Sequence, residues 1–293
     1  MHLEVACLPR DATRLGERVA LVIDVIRATT TLVTMFERGC RTVALANSVE
    51  SARAALQRPP AGPETRASAL LIGEVAGLPP ADFAYGNSPV ALADADLSGA
   101  DLIFSTTNGT KALVAAEGAA AIVAACLRNG RAAVALALEL AQAAQADLSI
   151  ICAGRAAGAQ QGLDDLICAG YLVEQILAQT GGLIAAWQPD ADFAATVPRS
   201  EQPADRIALD DSALVALRLY RSVVADPLRP RPDEIERVFF ESSAGQGLTR
   251  LNLAADVSFC AQIDVSEVVP QIARIVHGAT TQARYPLSIL AAA

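Results

Sequence analysis

A chain of 293 residues can bury one large core or two fused lobes, and 53% hydrophobic against 19% charged residues make it globular, not disordered. The net charge of −9, from 23 basic and 32 acidic side chains without a Lys/Arg run, excludes a nucleic-acid partner and repels anions at long range. Six scattered cysteines without a C-x-x-C pair, an N-terminus without a signal pattern and the absence of a membrane-length apolar run point to a cytoplasmic protein with no membrane partner.

In chain order the pattern is a short β-branched run, a polar loop and a helical stretch. Val19–Ile23 predicts a strand ending at Asp24, followed by a helix over Thr29–Arg38 that Gly39 terminates. Arg41–Leu45 predicts the next strand, and Ser48 caps a helix reaching Gln57. Three prolines mark residues 58–67 as a surface loop. Further strands are predicted over Leu70–Glu74, Asp101–Ser105, Ala121–Ala125 and Leu148–Cys152, with helices over Arg131–Ala144 and Asp165–Gln179.

The rhythm changes between 181 and 232, where a single 1–293 domain would divide if it has two lobes. This stretch carries three prolines between Pro189 and Pro203, a helix over Ser212–Ala225 and a turn cluster at Pro227–Pro232. Val238–Glu241 and Val257–Asp264 read as two late strands. Continuous apolar strands alternating with helices imply an α/β fold with a mainly parallel sheet covered on both faces. Ala-rich helices are compatible with a homodimer, though no patch is assigned to it.

Ligands of open α/β sheets bind beyond the carboxyl ends of the strands. Asp24 opens Asp-Val-Ile-Arg-Ala-Thr-Thr-Thr; it is a helix cap or, functionally, a metal ligand or nucleophile, with Arg27 a forked clamp for an oxyanion. Glu74 ends another strand, and Gly86-Asn87-Ser88-Pro89 follows as a turn in which Asn87 and Ser88 are candidate contacts. Thr106, Thr107, Asn108, Gly109 and Thr110 form a glycine-bearing loop between strand and helix that would aim backbone N–H groups at phosphate. It is no Walker A loop, lacking the Gly-Lys-Ser/Thr ending. Arg155 and the adjacent acids Asp164 and Asp165 follow the last strand, the acids offering hard oxygens to Mg²⁺. Each feature alone has an ordinary structural explanation as a cap, a turn or a solvated acid. Their recurrence at strand ends points to metal-assisted phosphoryl chemistry on a small anionic phosphorylated substrate.

Other phosphatase mechanisms fail on composition. The only histidines, His2 and His277, both lie near the termini, which argues against a phosphohistidine or a Ser–His–Asp triad, and they are too few for a dinuclear zinc or iron centre. No cysteine has an arginine six positions later, and Asp24 is followed by Val25 and Ile26, without the second aspartate of haloacid-dehalogenase enzymes.

The blocks Asp24–Thr31, Gly73-Glu74, Gly86–Pro89, Thr106–Thr110, Cys152–Gly154 and Asp164-Asp165 occur in the order seen in 2-phosphosulfolactate phosphatases. Ser243–Gly247 and the series Asp256, Asp264, Val269-Pro270 extend the likeness over nearly the whole chain. The resemblance implies a three-layer α/β/α fold with a mixed central sheet. It also implies Mg²⁺-dependent hydrolysis of (R)-2-phospho-3-sulfolactate, on the route to coenzyme M, with Asp24, Glu74 and Asp165 around the metal; Asp164, a methylene shorter than the Glu expected at its position, is the further candidate ligand. Arg27 and the Thr106–Thr110 loop would hold phosphate or sulfonate. A phosphatase of another phosphorylated hydroxy acid and a non-enzymatic phosphometabolite-binding protein are the alternative readings.

Overall fold

The computed structural model describes residues 1–57, 69–181, 207–276 and 287–292. One ten-stranded sheet runs through them. Its first block is β4 (Leu70–Gly73), β5 (Asp101–Ser105) and β3 (Thr42–Ala46), parallel to one another. Its second is β6 (Ala121–Ala125), β2 (Arg18–Ile23), β7 (Asp147–Cys152), β1 (His2–Ala6) and the short β8 (Ala208–Leu209), also parallel. Between them lies the antiparallel pair β9 (Pro270–Val276) and β10 (Leu287–Ala292), β9 antiparallel to β6 and β10 antiparallel to β3. The sheet is therefore mixed and mainly parallel, as the pattern implied. The three antiparallel junctions give the two parallel blocks opposite sense, which the strand runs did not reveal.

Alternate side chains of each strand enter different cores, because a strand points successive residues to opposite faces. Val19, Leu21 and Ile23 of β2 pack with α5 (Gly130–Ala144) and α6 (Leu163–Gln179), behind which lies α7 (Asp211–Val223). Ala20 and Val22 enter a second core with Leu32, Met35 and Phe36 of α1 (Ala28–Glu37) and Ala112 and Leu113 of α4 (Gly109–Ala115). Val43, Leu45, Leu102 and Phe104, from the other block, belong to that same core. Helices α1 and α4 are thus enclosed by both blocks, and this brings loops from strands of opposite sense together. The outer face of the first block packs on α2 (Val49–Leu56).

Ser48 caps α2 as expected, its hydroxyl accepting the Ser51 N–H at 3.1 Å. Gly39 follows α1 with φ +81°, the left-handed conformation that glycine adopts without a Cβ clash. Two expectations are corrected. Val238–Glu241 closes a helix, α8 (Pro232–Glu241), and Val257–Asp264 begins inside another, α10 (Ala254–Cys260); α9 (Ser243–Arg250) lies between. Pro232 opens α8 at its first turn, and Ile235, Val238 and Phe239 are buried at helical spacing. Short apolar runs carry too few residues to separate the two periods. The 58–67 loop and the prolines from Pro189 to Pro203 lie outside the described residues. So do residues 182–206 of the suggested lobe boundary. Among the described residues no helix is long and apolar enough to cross a membrane.

Candidate active site

Strand register sets the first contacts. β2 and β7 end together, Ile23 opposite Cys152, so Asp24 emerges beside the loop that begins at Ala153. β4 and β5 also end together, Gly73 opposite Ser105, placing Glu74 beside Thr106. The N-termini of α1 and α4 then touch. A Cβ on Gly109 would lie 2.4 Å from the Ala28 Cβ and 2.7 Å from Asp24 Oδ2, so only glycine permits this approach.

Asp24 is 6% exposed and accepts the Ala28 N–H on Oδ1 at 3.3 Å. Burial raises its pKa to about 7; the charges of Asp164 and Glu74 add to the rise, while the Ala28 N–H and Arg27 oppose it. Asp164 is 3% exposed, and burial raises it to about 6 against its own backbone N–H, Arg155 and the Ser242 hydroxyl. Its Oδ1 is buried with no hydrogen-bond partner among the described residues. Asp165 is raised by burial and by Asp164 and Asp24, yet both its oxygens are used: Oδ1 accepts the Val25 N–H and Oδ2 the Gly154 N–H, each at 3.0 Å. It ties the two loops together. Glu74 acts likewise, accepting the Gly77 N–H at 2.7 Å and the Thr107 N–H at 2.6 Å.

The remaining sequence candidates divide between facing the site and building it. Arg27 is buried, its Nη1 2.7 Å from Asp256 Oδ2 and its Nη2 donating to the Gly77 carbonyl at 2.9 Å. Ser88 caps α3 (Pro89–Ala93), accepting the Ala91 N–H, and donates to Asp256 Oδ1 at 2.7 Å. Thr106 and Thr110 bond each other across the loop turn. Asn108 Oδ1 accepts the Ala157 N–H at 2.9 Å, joining this loop to the one after β7. Among the described residues, the backbone N–H groups of Asn108 and Gly109 have no acceptor. Arg155 is half-buried, donates to Gln160 at 3.0 Å and lends its charge to Asp164. Asn87 is buried with its Oδ1 unpartnered among the described residues, but no contact joins it to Asp24.

Sequence reasoning missed the roles of Asp256 and Ser242. Asp256 (1% exposed) holds Arg27, Ser88 and the Val90 N–H, and reading its neighbourhood as a strand hid this. Ser242 lies at the α8–α9 junction, where it caps α9 through the Gly245 N–H. The Ser242-Ser243-Ala244-Gly245 run is a capping signal that could have located the junction. Removing one member of a buried ion pair strands the other, so Asp256→Ala is expected to cost about 3–5 kcal/mol in urea denaturation. A loss below about 1 kcal/mol, the range of an exposed pair, would show that Arg27 does not depend on it.

The donor set suits a hard cation. It offers carboxylate oxygens only, and the orphaned Asp164 Oδ1 is a buried acceptor awaiting a partner. Among the described residues no three His, Cys, Asp or Glu side chains form a ready-made cage. Mg²⁺ commonly binds one or two carboxylates, completing its shell with water and substrate phosphate.

Comparison with known proteins puts the chain among the phosphoric monoester hydrolases. More narrowly, it belongs to the 2-phosphosulpholactate phosphatase family, whose sequence profile matches residues 7–274. A relative from Thermus thermophilus is 35% identical over 271 residues, 92% of this chain and 94% of its own. One from Deinococcus radiodurans is 34% identical over 255 residues, 87% of each chain. A third, from Symbiobacterium thermophilum, is 32% identical over 259 residues, 88% of this chain and 93% of its own. Each is named a probable 2-phosphosulfolactate phosphatase.

Proposed function

We propose that the protein is a cytoplasmic, Mg²⁺-dependent phosphatase that hydrolyses (R)-2-phospho-3-sulfolactate to (R)-3-sulfolactate and phosphate, a step towards coenzyme M. The observation that carries this reading is the Asp24–Asp164 pair. Burial raises the cost of ionising both carboxylates, the charge of Asp164 adds to that cost at Asp24, and Asp164 keeps an unpartnered oxygen. Such a pair holds either protons or a cation. A bound Mg²⁺ supplies charge neutralisation and polarises the phosphate oxygens it touches.

Asp24 and Asp164 are the residues that hold the ion in this reading. Glu74 and Asp165 position the loops around it, each of their oxygens accepting one backbone N–H. Arg27 is oriented by Asp256 and the Gly77 carbonyl, so its guanidinium meets an oxyanion without first losing rotamer freedom. The unspent N–H groups of Asn108 and Gly109 lie at the start of α4, where Gly109 abuts Asp24 Oδ2, and suit the equatorial phosphate oxygens.

The test is phosphate release from 2-phospho-3-sulfolactate and a panel of other phosphorylated hydroxy acids, with Mg²⁺ and with EDTA. Turnover of 2-phospho-3-sulfolactate in Mg²⁺ and its loss in EDTA are expected. Preference for another panel member would replace the substrate, undiminished activity in EDTA would remove the metal, and tight binding without turnover of any would indicate a binding protein.

A further inference from the structure

Lys111 is the only lysine in the chain; every other basic side chain of the Lys/Arg class is arginine. It stands in the first turn of α4, next to the loop that carries Asn108 and Gly109, and is exposed. A groove of about 290 Å³ opens there, lined by Asn108, Arg10, Lys111 and small residues such as Ala112, Ala153 and Gly158. Several arginines elsewhere are closely paired: Arg18, Arg27, Arg128 and Arg221 each have a carboxylate within 3.3 Å. The groove's cations are not. Lys111 has no carboxylate within ion-pair distance among the described residues, and Arg10 has only Asp11 at 4.0 Å. Arg10 is steadied instead by donating Nη1 to the Gly158 carbonyl at 3.2 Å, which leaves its other N–H groups free. In a protein of charge −9, two loosely compensated cations on one small groove are a local reversal of sign. A larger groove, about 400 Å³, is lined by Glu4, Asp11 and Asp210 and has the opposite character.

The cationic groove is continuous with the phosphate-facing loop through Asn108, whose neighbour Gly109 abuts Asp24 Oδ2. We infer that it is the subsite for a second, strongly acidic group of the substrate, a sulfonate or carboxylate, carried a few bonds from the phosphate. Arg10 and Lys111 then select phosphate esters bearing a distal anion over simple alkyl phosphates. This assignment rests on the phosphatase reading above but separates two tasks: Arg27 and the Asn108–Gly109 N–H groups meet the phosphate, and Arg10 and Lys111 meet the far end. The small side chains of the lining leave room for the connecting carbons and supply no competing side-chain donor.

The experiment compares 2-phospho-3-sulfolactate with ethyl phosphate in the wild type and in Lys111→Ala, Arg10→Ala and Lys111→Arg. A charge-assisted contact made equally in ground and transition states raises KM when lost, with kcat little changed. Lys111→Ala is therefore expected to raise KM for the sulfonated substrate about tenfold or more, and to narrow its kcat/KM advantage over ethyl phosphate by the same factor. Lys111→Arg should restore most of it. Equal losses on both substrates, or no loss, would overturn the subsite.

Failure of the wild type to hydrolyse either ester would count against the phosphatase reading, and the groove is then judged without turnover. Reductive methylation modifies only Lys111 and the terminal amine, and peptide mapping separates the two. 3-Sulfolactate is expected to slow methylation of Lys111, whereas neutral lactamide is not. Methylation at the same rate with and without 3-sulfolactate would overturn the subsite whatever the catalytic result.

Discussion

Asp24→Asn is expected to reduce kcat for phosphate release by at least about 10³-fold while making the metal-free protein harder to unfold at pH 8. The two effects have one cause. Asp24 is buried beside Asp164 and Glu74, and its pKa of about 7 means that ionisation at pH 8 is imposed on an unfavourable site. Asparagine has the same shape and still offers an oxygen to the Ala28 N–H, so the α1 junction is kept. It removes the charge that a cation needs and that folding has to tolerate. An unrelated structural defect would lower both activity and stability. Near-normal turnover would rule out the role given to Asp24.

The pH dependence of stability is the second large effect. Asp24 and Asp164 rise from an ordinary 3.8 to about 7 and about 6, so between those limits the native state binds more protons than the unfolded chain. Stability therefore falls with rising pH: the contribution is complete below about pH 4 and is lost as pH passes through the folded values. For Asp24 alone, a shift of about three units corresponds to roughly 4 kcal/mol. Carboxylates held down by partners, such as Asp82 beside Arg53 and Glu234 at the start of α8, act in the opposite sense; the exposed Asp82 contributes little. Thermal melting in EDTA is expected to show a transition temperature that drops from pH 5 to pH 8. Magnesium should recover the loss at pH 8 and do little at pH 5, where protons occupy the site. A transition temperature that climbs with pH in EDTA would contradict the arrangement.

Much of the scaffold was legible because its strands are strongly apolar and its stops are chemical. Val19–Ile23 and Leu148–Cys152 read as buried strands, and Ser48 and Gly39 marked helix ends that the structure keeps. The opposing sense of the two blocks was not legible, since it is set by β9 and β10, whose pairing partners β6 and β3 lie far away along the chain. The late helices were misread because Val238–Glu241 and Val257–Asp264 are too short for periodicity to decide.

At the site, residue types named the participants but not how each is employed. Glu74 and Asp165 look like Asp24 and Asp164 in sequence; only the N–H groups of Gly77, Thr107, Val25 and Gly154 distinguish them. Asp256 was invisible as a partner of Arg27 because 229 residues separate them.

The central claim is that Asp24 and Asp164 together hold a divalent cation, and calorimetric titration with Mg²⁺ at pH 8 reads it without requiring turnover. Wild-type protein should bind the ion, and at pH 6.5 binding should also release protons, because there the pair is partly protonated. Both Asp24→Asn and Asp164→Asn should lose most of that binding. Undiminished affinity in both variants would place the metal elsewhere and contradict the assignment.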